Sequence, residues 1–231
     1  MVHPADKNEW RLFQMKTRKT LLCILDTETV GGFSSDCQIY NAGGKIVDYR
    51  GHVYATFNYL VAEHFESILE KAHYGKKNFN RYLEMLDRGE ITVVATEADL
   101  LKAVSALLDF YGVKYVLAYN TIFDLTRTSF QKLIENREFI DIYQMAYEIY
   151  YHRPSYRKFC IENGFLTKNG NPQQGVEQMY AFLTNNPAFE EEHTAYSDAA
   201  QEAEIFFACL RQHKRYTKNK HHGECFTKKR G

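Results

Sequence analysis

Asp26 and Glu28 stand one residue apart at the end of an apolar run, Leu21-Leu22-Cys23-Ile24-Leu25. In an extended chain the side chains at i and i+2 share a face, so the two carboxylates project together. Like charges held side by side are costly, and a cation between them offsets that cost. A strand that simply ends at a polar edge, with an Asx-type turn, is the plainer alternative. Three further residues bear on the choice. Asp124 follows a second apolar run, residues 114–119, and falls in the first turn of the helix expected after it. In open α/β sheets that carboxyl edge is where ligands bind, although a first-turn acid also answers a helix dipole with no ligand at all. Asp198 opens the last expected helix, with Ser197 placed to cap it. His193 lies five residues earlier in the preceding loop, and an imidazole, with its ordinary pKa near ~6.5, suits proton transfer near neutrality. A partly exposed loop histidine with no such role is the alternative. Four carboxylates and a histidine, with no cysteine among them, suit hard divalent ions such as Mg²⁺ or Mn²⁺. Two such ions, about 3.5–4 Å apart, stabilise the attacking and leaving oxygens of an in-line phosphoryl displacement.

These residues need a sheet and helix starts to hold them. The run 21–25 reads as a buried strand. Residues 37–40 and 45–55 read as a hairpin turning across Asn41-Ala42-Gly43-Gly44, so the first strand pair is expected to be antiparallel. Residues 57–72 show near-helical spacing and 77–88 form a second helix. Residues 91–94 are short and β-prone. Thr96 and Asp99 make an approximate capping box for a helix carrying Leu100, Leu101, Val104, Leu107 and Leu108. Further helices are expected over 121–134, 143–151, 155–163 and 175–184, a short strand over 138–142, and a turn or small hairpin over 166–172. The last helix is expected from about Ser197 to His213. Three leading strands followed by alternating strands and helices describe an α/β fold with a mixed five-stranded sheet flanked by helices.

The chain has 231 residues, of which 45% are hydrophobic, with 16 Phe and 17 Tyr, so a folded core is expected. No apolar run approaches the ~20 residues of a membrane-spanning helix, and residues 1–20 form a polar leader without a signal-peptide core. Five scattered cysteines with no CxxC pair fit reduced thiols and a cytoplasmic setting. From Arg211 to the end there are eight Lys and Arg against one acid, on a body that is acidic. Such a tail suits a polyanionic partner, or is simply a solvated helix end. His221-His222-x-x-Cys225 offers too few ligands for a zinc site.

In order, Asp26-x-Glu28, Asn120-x-x-Phe123-Asp124 and His193-x-x-x-x-Asp198 resemble the three motifs of the DEDDh 3′–5′ exonucleases, the DnaQ-like superfamily that includes the proofreading subunit of DNA polymerase III and RNase T. The resemblance covers roughly residues 21–211 and implies a ribonuclease H-like fold. The stretch Glu191-Glu192-His193-Thr194-Ala195, after the Pro172 loop, resembles a phage-type branch, which implies the cytoplasm of a bacterial cell or infected host. It implies two Mg²⁺ or Mn²⁺ ions, with Asp26, Glu28 and Asp198 at the first, Asp26 bridging to the second, and Asp124 supporting the second. It implies His193 as the general base. Tyr196 does not replace it, because the tyrosine variant of the pattern expects that residue where Thr194 stands. The backbone of Thr27-Glu28-Thr29 and the Thr29 side chain would receive the terminal nucleotide, with Phe33, Asn120 and Phe123 lining its pocket; core packing is the alternative for Phe123. The implied activity is removal of nucleoside 5′-monophosphates from the 3′ end of single-stranded DNA. RNA is a substrate of the same class, and a non-catalytic nucleic-acid-binding module is the rival reading. A polymerase or other replication protein is a candidate partner. The expected organisation is a leader (1–20), an exonuclease domain (21–213) with a helical elaboration (57–95), and a basic tail (214–231). In the elaboration, His64, His73, Lys76, Lys77, Asn78 and Arg81 would flank an entering strand or form an ordinary solvated face.

Overall fold

The computed structural model describes residues 20–31, 37–72 and 75–222. Its centre is the first apolar run. Strand β1 (Leu21–Val30) alternates between two apolar layers: Leu22 and Ile24 join one, Cys23 and Leu25 the other. Such a strand is covered on both sides. Continuing the alternation places Asp26 and Glu28 on the face of Leu22 and Ile24.

Around β1 the sheet has six strands in the order β4-β3-β2-β1-β5-β6. β2 (Gln38–Asp48) and β3 (Val53–Val61) are antiparallel neighbours, and β4 (Thr92–Val94) runs parallel to β3 at the edge. On the other side of β1, β5 (Tyr115–Ala118) and β6 (Glu138–Asp141) are parallel to it and to each other. The fold is α/β, as expected, but the sheet has a sixth strand: the β-prone segment pairs through Tyr59, Leu60 and Val61, closing the β3 edge.

Two one-turn helices, α1 (Ala62–Phe65) and α2 (Ile68–Lys71), and α3 (Gly75–Asp87) follow β3. α4 (Glu97–Phe110) lies on the Cys23–Leu25 face and buries Leu100, Val104 and Leu108. Thr96 caps it as expected, its Oγ1 accepting from Asp99 N at 3.1 Å. α5 (Ile142–Ala146), α6 (Pro154–Glu162), α7 (Val176–Thr184) and α8 (Ala195–Leu210) build the layer on the opposite face, with Ile205 and Phe206 of α8 against Leu22 and Ile24. A lone bridge between Leu166 and Pro172 makes the small hairpin expected there.

Four expectations are corrected. The hairpin does not turn at residues 41–44, which lie inside β2; it turns at residues 49–52, where Asp48 accepts from the amides of Arg50 and His52 and Gly51 has φ +86°. Gly43 and Gly44 are strand glycines that admit close neighbours. A Cβ on Gly43 would lie 2.2 Å from Tyr196 N, and one on Gly44 2.6 Å from Phe57 Cζ. Residues 57–61 are strand rather than helix, because Phe57, Leu60 and Val61 find buried places against β2 and the flanking layer. Residues 121–134 are not a regular helix: a wide π-type turn (Ile122–Thr126) leads to a 3₁₀ segment (Ser129–Ile134). The hydroxyls of Thr126 and Thr128 bond the carbonyls of Ile122 and Asp124, diverting them from regular helical pairing. Finally, α8 starts at Ala195 with Thr194 in the cap position, so Ser197 is inside the helix and is not its cap.

Candidate active site

Strand β1, the wide turn after β5 and the start of α8 converge at one edge of the sheet. Asp124 is buried in the wide turn, and its Oδ1 accepts from both Thr27 N (3.1 Å) and Thr27 Oγ1 (2.7 Å). Asp124 is thereby tied to β1 between Asp26 and Glu28. π-type turns of this kind recur at functional sites because they re-aim a side chain.

The carboxylates are close enough to oppose one another's ionisation. Desolvation, then the charges of Asp124, Glu202, Asp198 and Glu28, hold the Asp26 carboxyl well above its ordinary range. Burial and the Asp198 charge do the same to Glu28, whose Oε2 accepts from the Tyr40 hydroxyl at 3.3 Å. Burial pushes Asp124 up to about 7 against the opposing effect of its Thr27 hydrogen bonds. Burial and the Glu191 charge push Asp198 up to about 8. One ligand atom each from Glu28, His193 and Asp198 lies within 4.8 Å of the other two, a spacing that admits a cation. Asp198 Oδ1 is buried with no hydrogen-bond partner among the described residues. Crowded acids and the orphaned Asp198 oxygen fit a hard divalent cation.

The His193 loop is held from several sides. His193 is in the left-handed region, φ +56°. Its Nδ1 lies 3.9 Å from Glu191 Oε2, and burial pushes Glu191 up to about 7. Asn41 Oδ1 accepts from Ala195 N at 2.9 Å, pinning the first turn of α8 to β2.

The structure thus brings Asp26, Glu28, Asp124, Asp198 and His193 together at one edge. Thr27 turns inward to Asp124. Thr29 follows a shift of register in β1, between Glu28 and Thr29. Asn120 has φ +72° and donates its amide to Asp141 Oδ1 at 3.3 Å. Phe123 is half-buried. Phe33 and His73 lie outside the described residues. Glu202 was not singled out from the sequence. It is 1% exposed, its Oε2 has no hydrogen-bond partner among the described residues, and burial followed by the Asp124 charge raises it well above its ordinary range. Its signal was its position, four residues after Asp198 and so on the same helical face. Glu191, whose side chain faces His193, carried no comparable periodic signal.

A mixed sheet in this order, flanked by helices, is the ribonuclease H-like α/β fold. No protein-family model matches the chain, and no curated protein sequence does. Solved structures share the fold. One is a 3′-exonuclease described in 3′-end-specific recognition of a histone mRNA stem-loop, with 16% identity, 88% of each chain covered and a TM-score of 0.59. Another is a full-length 3′-exonuclease, with 17% identity, 88% of this chain and 87% of that one covered, and a TM-score of 0.54. E. coli Exonuclease I in complex with a dA16 oligonucleotide shares 15% identity over 85% of this chain and 44% of its own, with a TM-score of 0.51. Among the described residues no helix is long and apolar enough to cross a membrane.

Proposed function

We propose that this chain is a divalent-cation-dependent 3′–5′ exonuclease that removes nucleoside 5′-monophosphates from single-stranded DNA ends. The observation that carries this reading is the approach of Glu28, His193 and Asp198 within 4.8 Å, beside Asp26 and Asp124. In this reading Asp26, Glu28 and Asp198 would hold one Mg²⁺ or Mn²⁺, and Asp26 and Asp124 would serve a second. Two bound ions supply Lewis acidity at the attacking and leaving oxygens of an in-line displacement. Hard cations take oxygen ligands, which leaves the imidazole for protons. His193 keeps its Nδ1 toward Glu191, so Nε2 takes the proton of the attacking water. Because Thr27 spends its amide and hydroxyl on Asp124, the seat for the 3′ end rests on the Glu28 backbone and Thr29, with Asn120 and Phe123 about the sugar and base.

The experiment is a panel of 3′-labelled single- and double-stranded DNA and RNA oligomers with Mn²⁺ or Mg²⁺. We expect stepwise release of 5′-monophosphates from single-stranded DNA, lost in Asp26→Ala and His193→Ala. Faster release from RNA corrects the substrate. Binding without release by the unsubstituted protein makes it a non-catalytic module.

A groove of about 770 Å³ beside α8 supports a polyanionic partner. Lys45, Arg50, Arg211 and Lys214 line it, and among the described residues Glu204 is the one acid on its wall. The Lys45 ammonium lies 5.6 Å from the ring centre of Tyr196, on the first turn of α8. The double substitution Arg211→Ala, Lys214→Ala is expected to raise KM for a long single strand about tenfold at low salt. It should flatten the slope of log affinity against log salt by roughly 1 to 1.5, and leave a trinucleotide unaffected. An unchanged salt slope removes the groove from the binding path.

A further inference from the structure

The segment between β3 and β4 leaves the main sheet to build α1, α2 and α3, and it lies over the loop that carries His193. Asn78, on α3, is 0% exposed. Its Nδ2 donates to the carbonyl of His193 at 2.7 Å, across 115 residues of chain. One turn further along α3, the Arg81 guanidinium donates to the carbonyl of Glu192. The next helical residue, Tyr82, is fully buried and donates to Asn41 Oδ1 at 3.0 Å, the same oxygen that accepts from Ala195 N. Asn41 is itself fixed by donating to Asn58 Oδ1 and to the Tyr59 carbonyl, at 2.9 and 2.8 Å. Backbone groups of residues 192, 193 and 195 are thus held directly, or through Asn41, by one helix. Tyr82 also packs edge-to-face on Tyr40, ring centres 5.7 Å apart, and Tyr40 is the donor to Glu28.

We infer that α3 is a positioning element for His193, with Asn78 and Arg81 as the positioning residues. The inference rests on the proposed role of His193 as the base. A loop that leaves an extended path for a left-handed residue has many other conformations open to it. An imidazole must stay within hydrogen-bond reach of the proton it removes, and a displacement of about 1 Å costs on the order of a hundredfold in rate. Hydrogen bonds to the carbonyls of Glu192 and His193 fix the two peptide planes on either side of the His193 Cα, and with them the direction in which the His193 side chain leaves the backbone. The amide of Asn78 is buried with that carbonyl as its partner, an arrangement costly to leave unmade. In this inference the elaboration is, at Asn78 and Arg81, a support under the base.

The test uses the full chain, single-stranded DNA and saturating Mn²⁺. Asn78→Leu keeps the volume and removes the donor; Arg81→Met keeps the stem and removes the fork. Each is expected to lower kcat by about 10- to 100-fold with KM within about threefold of the unsubstituted value. In a His193→Ala background the same changes should alter the residual rate less than about twofold, because a residue acting through His193 has nothing left to position. Arg81→Lys should recover part of the loss. If Asn78→Leu melts early, Arg81→Met carries the test. Unchanged kcat in that variant, or an equal fall with and without His193, overturns the inference. An unsubstituted protein without His193-dependent hydrolysis overturns the exonuclease reading and this role with it. One that hydrolyses at the rate of its variants overturns this role alone.

Discussion

Asp26→Asn is expected to lower the cation-dependent rate on the order of a thousandfold or more, and at the same time to raise the melting temperature of the cation-free protein. The activity loss follows from its place among the proposed ligands. A thousandfold corresponds to about 4 kcal/mol, within what a bound cation supplies to the transition state. The gain in stability follows from the cluster itself. The Asp26 carboxyl is raised by desolvation and by four neighbouring acids, so its charge opposes folding unless a cation is present. Relief of about 1 kcal/mol shifts the melting temperature of a chain of this size by ~2–4 °C.

The sign of the pH dependence follows from the same groups. Asp124 and Asp198 stand at about 7 and about 8 in the folded protein, against an ordinary aspartate value near ~3.9 in the unfolded chain. Between those limits the folded state holds protons that the unfolded state has released. The cation-free protein therefore loses stability as pH rises from about 4 to 8. On the proposed reading Mn²⁺ would bind the ionised cluster, so its stabilisation is expected to grow over the same window. At a hundred times its dissociation constant it contributes about 2.7 kcal/mol, or ~5–10 °C. Thermal melts at pH 5 and pH 8, with Mn²⁺ and with chelator, should show the shift at pH 8 and its near-absence in Asp26→Asn. Equal shifts in both proteins would remove Asp26 from the cation site.

The five chemical groups were legible because each carries a local signal: an apolar run into Asp26 and Glu28, a strand end before Asp124, a helix start at Asp198 and a loop before it for His193. The α4 cap at Thr96 was legible for the same reason. What was not legible depends on distant partners. Asn41, Asn78 and Arg81 hold the site through contacts more than a hundred residues apart in the chain, and their own neighbourhoods suggest only a turn for Asn41 and a strand-flanking or solvated face for Asn78 and Arg81. Residues 57–61 could satisfy a helical or a strand period, and only pairing with β2 selects the strand. The helix expected over 121–134 failed because two threonine hydroxyls bond carbonyls within it. That departure is informative, since it is what turns Asp124 toward Thr27.

The misread glycines carry the second large effect. Asn41-Ala42-Gly43-Gly44 has turn chemistry, yet it lies mid-strand because α8 crosses β2 at that point. A Cβ on Gly43 would stand 2.2 Å from Tyr196 N, 2.4 Å from Tyr196 Cα and 2.6 Å from the Ala195 carbonyl carbon. All three are backbone atoms of the first turn of α8, so no side chain can swing aside. That turn lies between His193 and Asp198 and is pinned by Asn41 through Ala195 N. Gly43→Ala must push it off the sheet by about an ångström, which strains the Asn41 bond and moves both flanking site residues. We expect a stability loss of about 1–3 kcal/mol, the usual range for overpacking. We expect a fall in kcat on the order of a hundredfold in protein that is still folded by circular dichroism. Gly51→Ala separates site from strain. Gly51 sits in the β2–β3 turn at φ +86°, with its nearest would-be contact 3.7 Å away on the Phe207 ring. It should lose comparable stability through backbone strain and keep kcat. If Gly43→Ala melts like Gly51→Ala and also keeps kcat, the crossing of α8 over β2 does not set the geometry of His193 and Asp198.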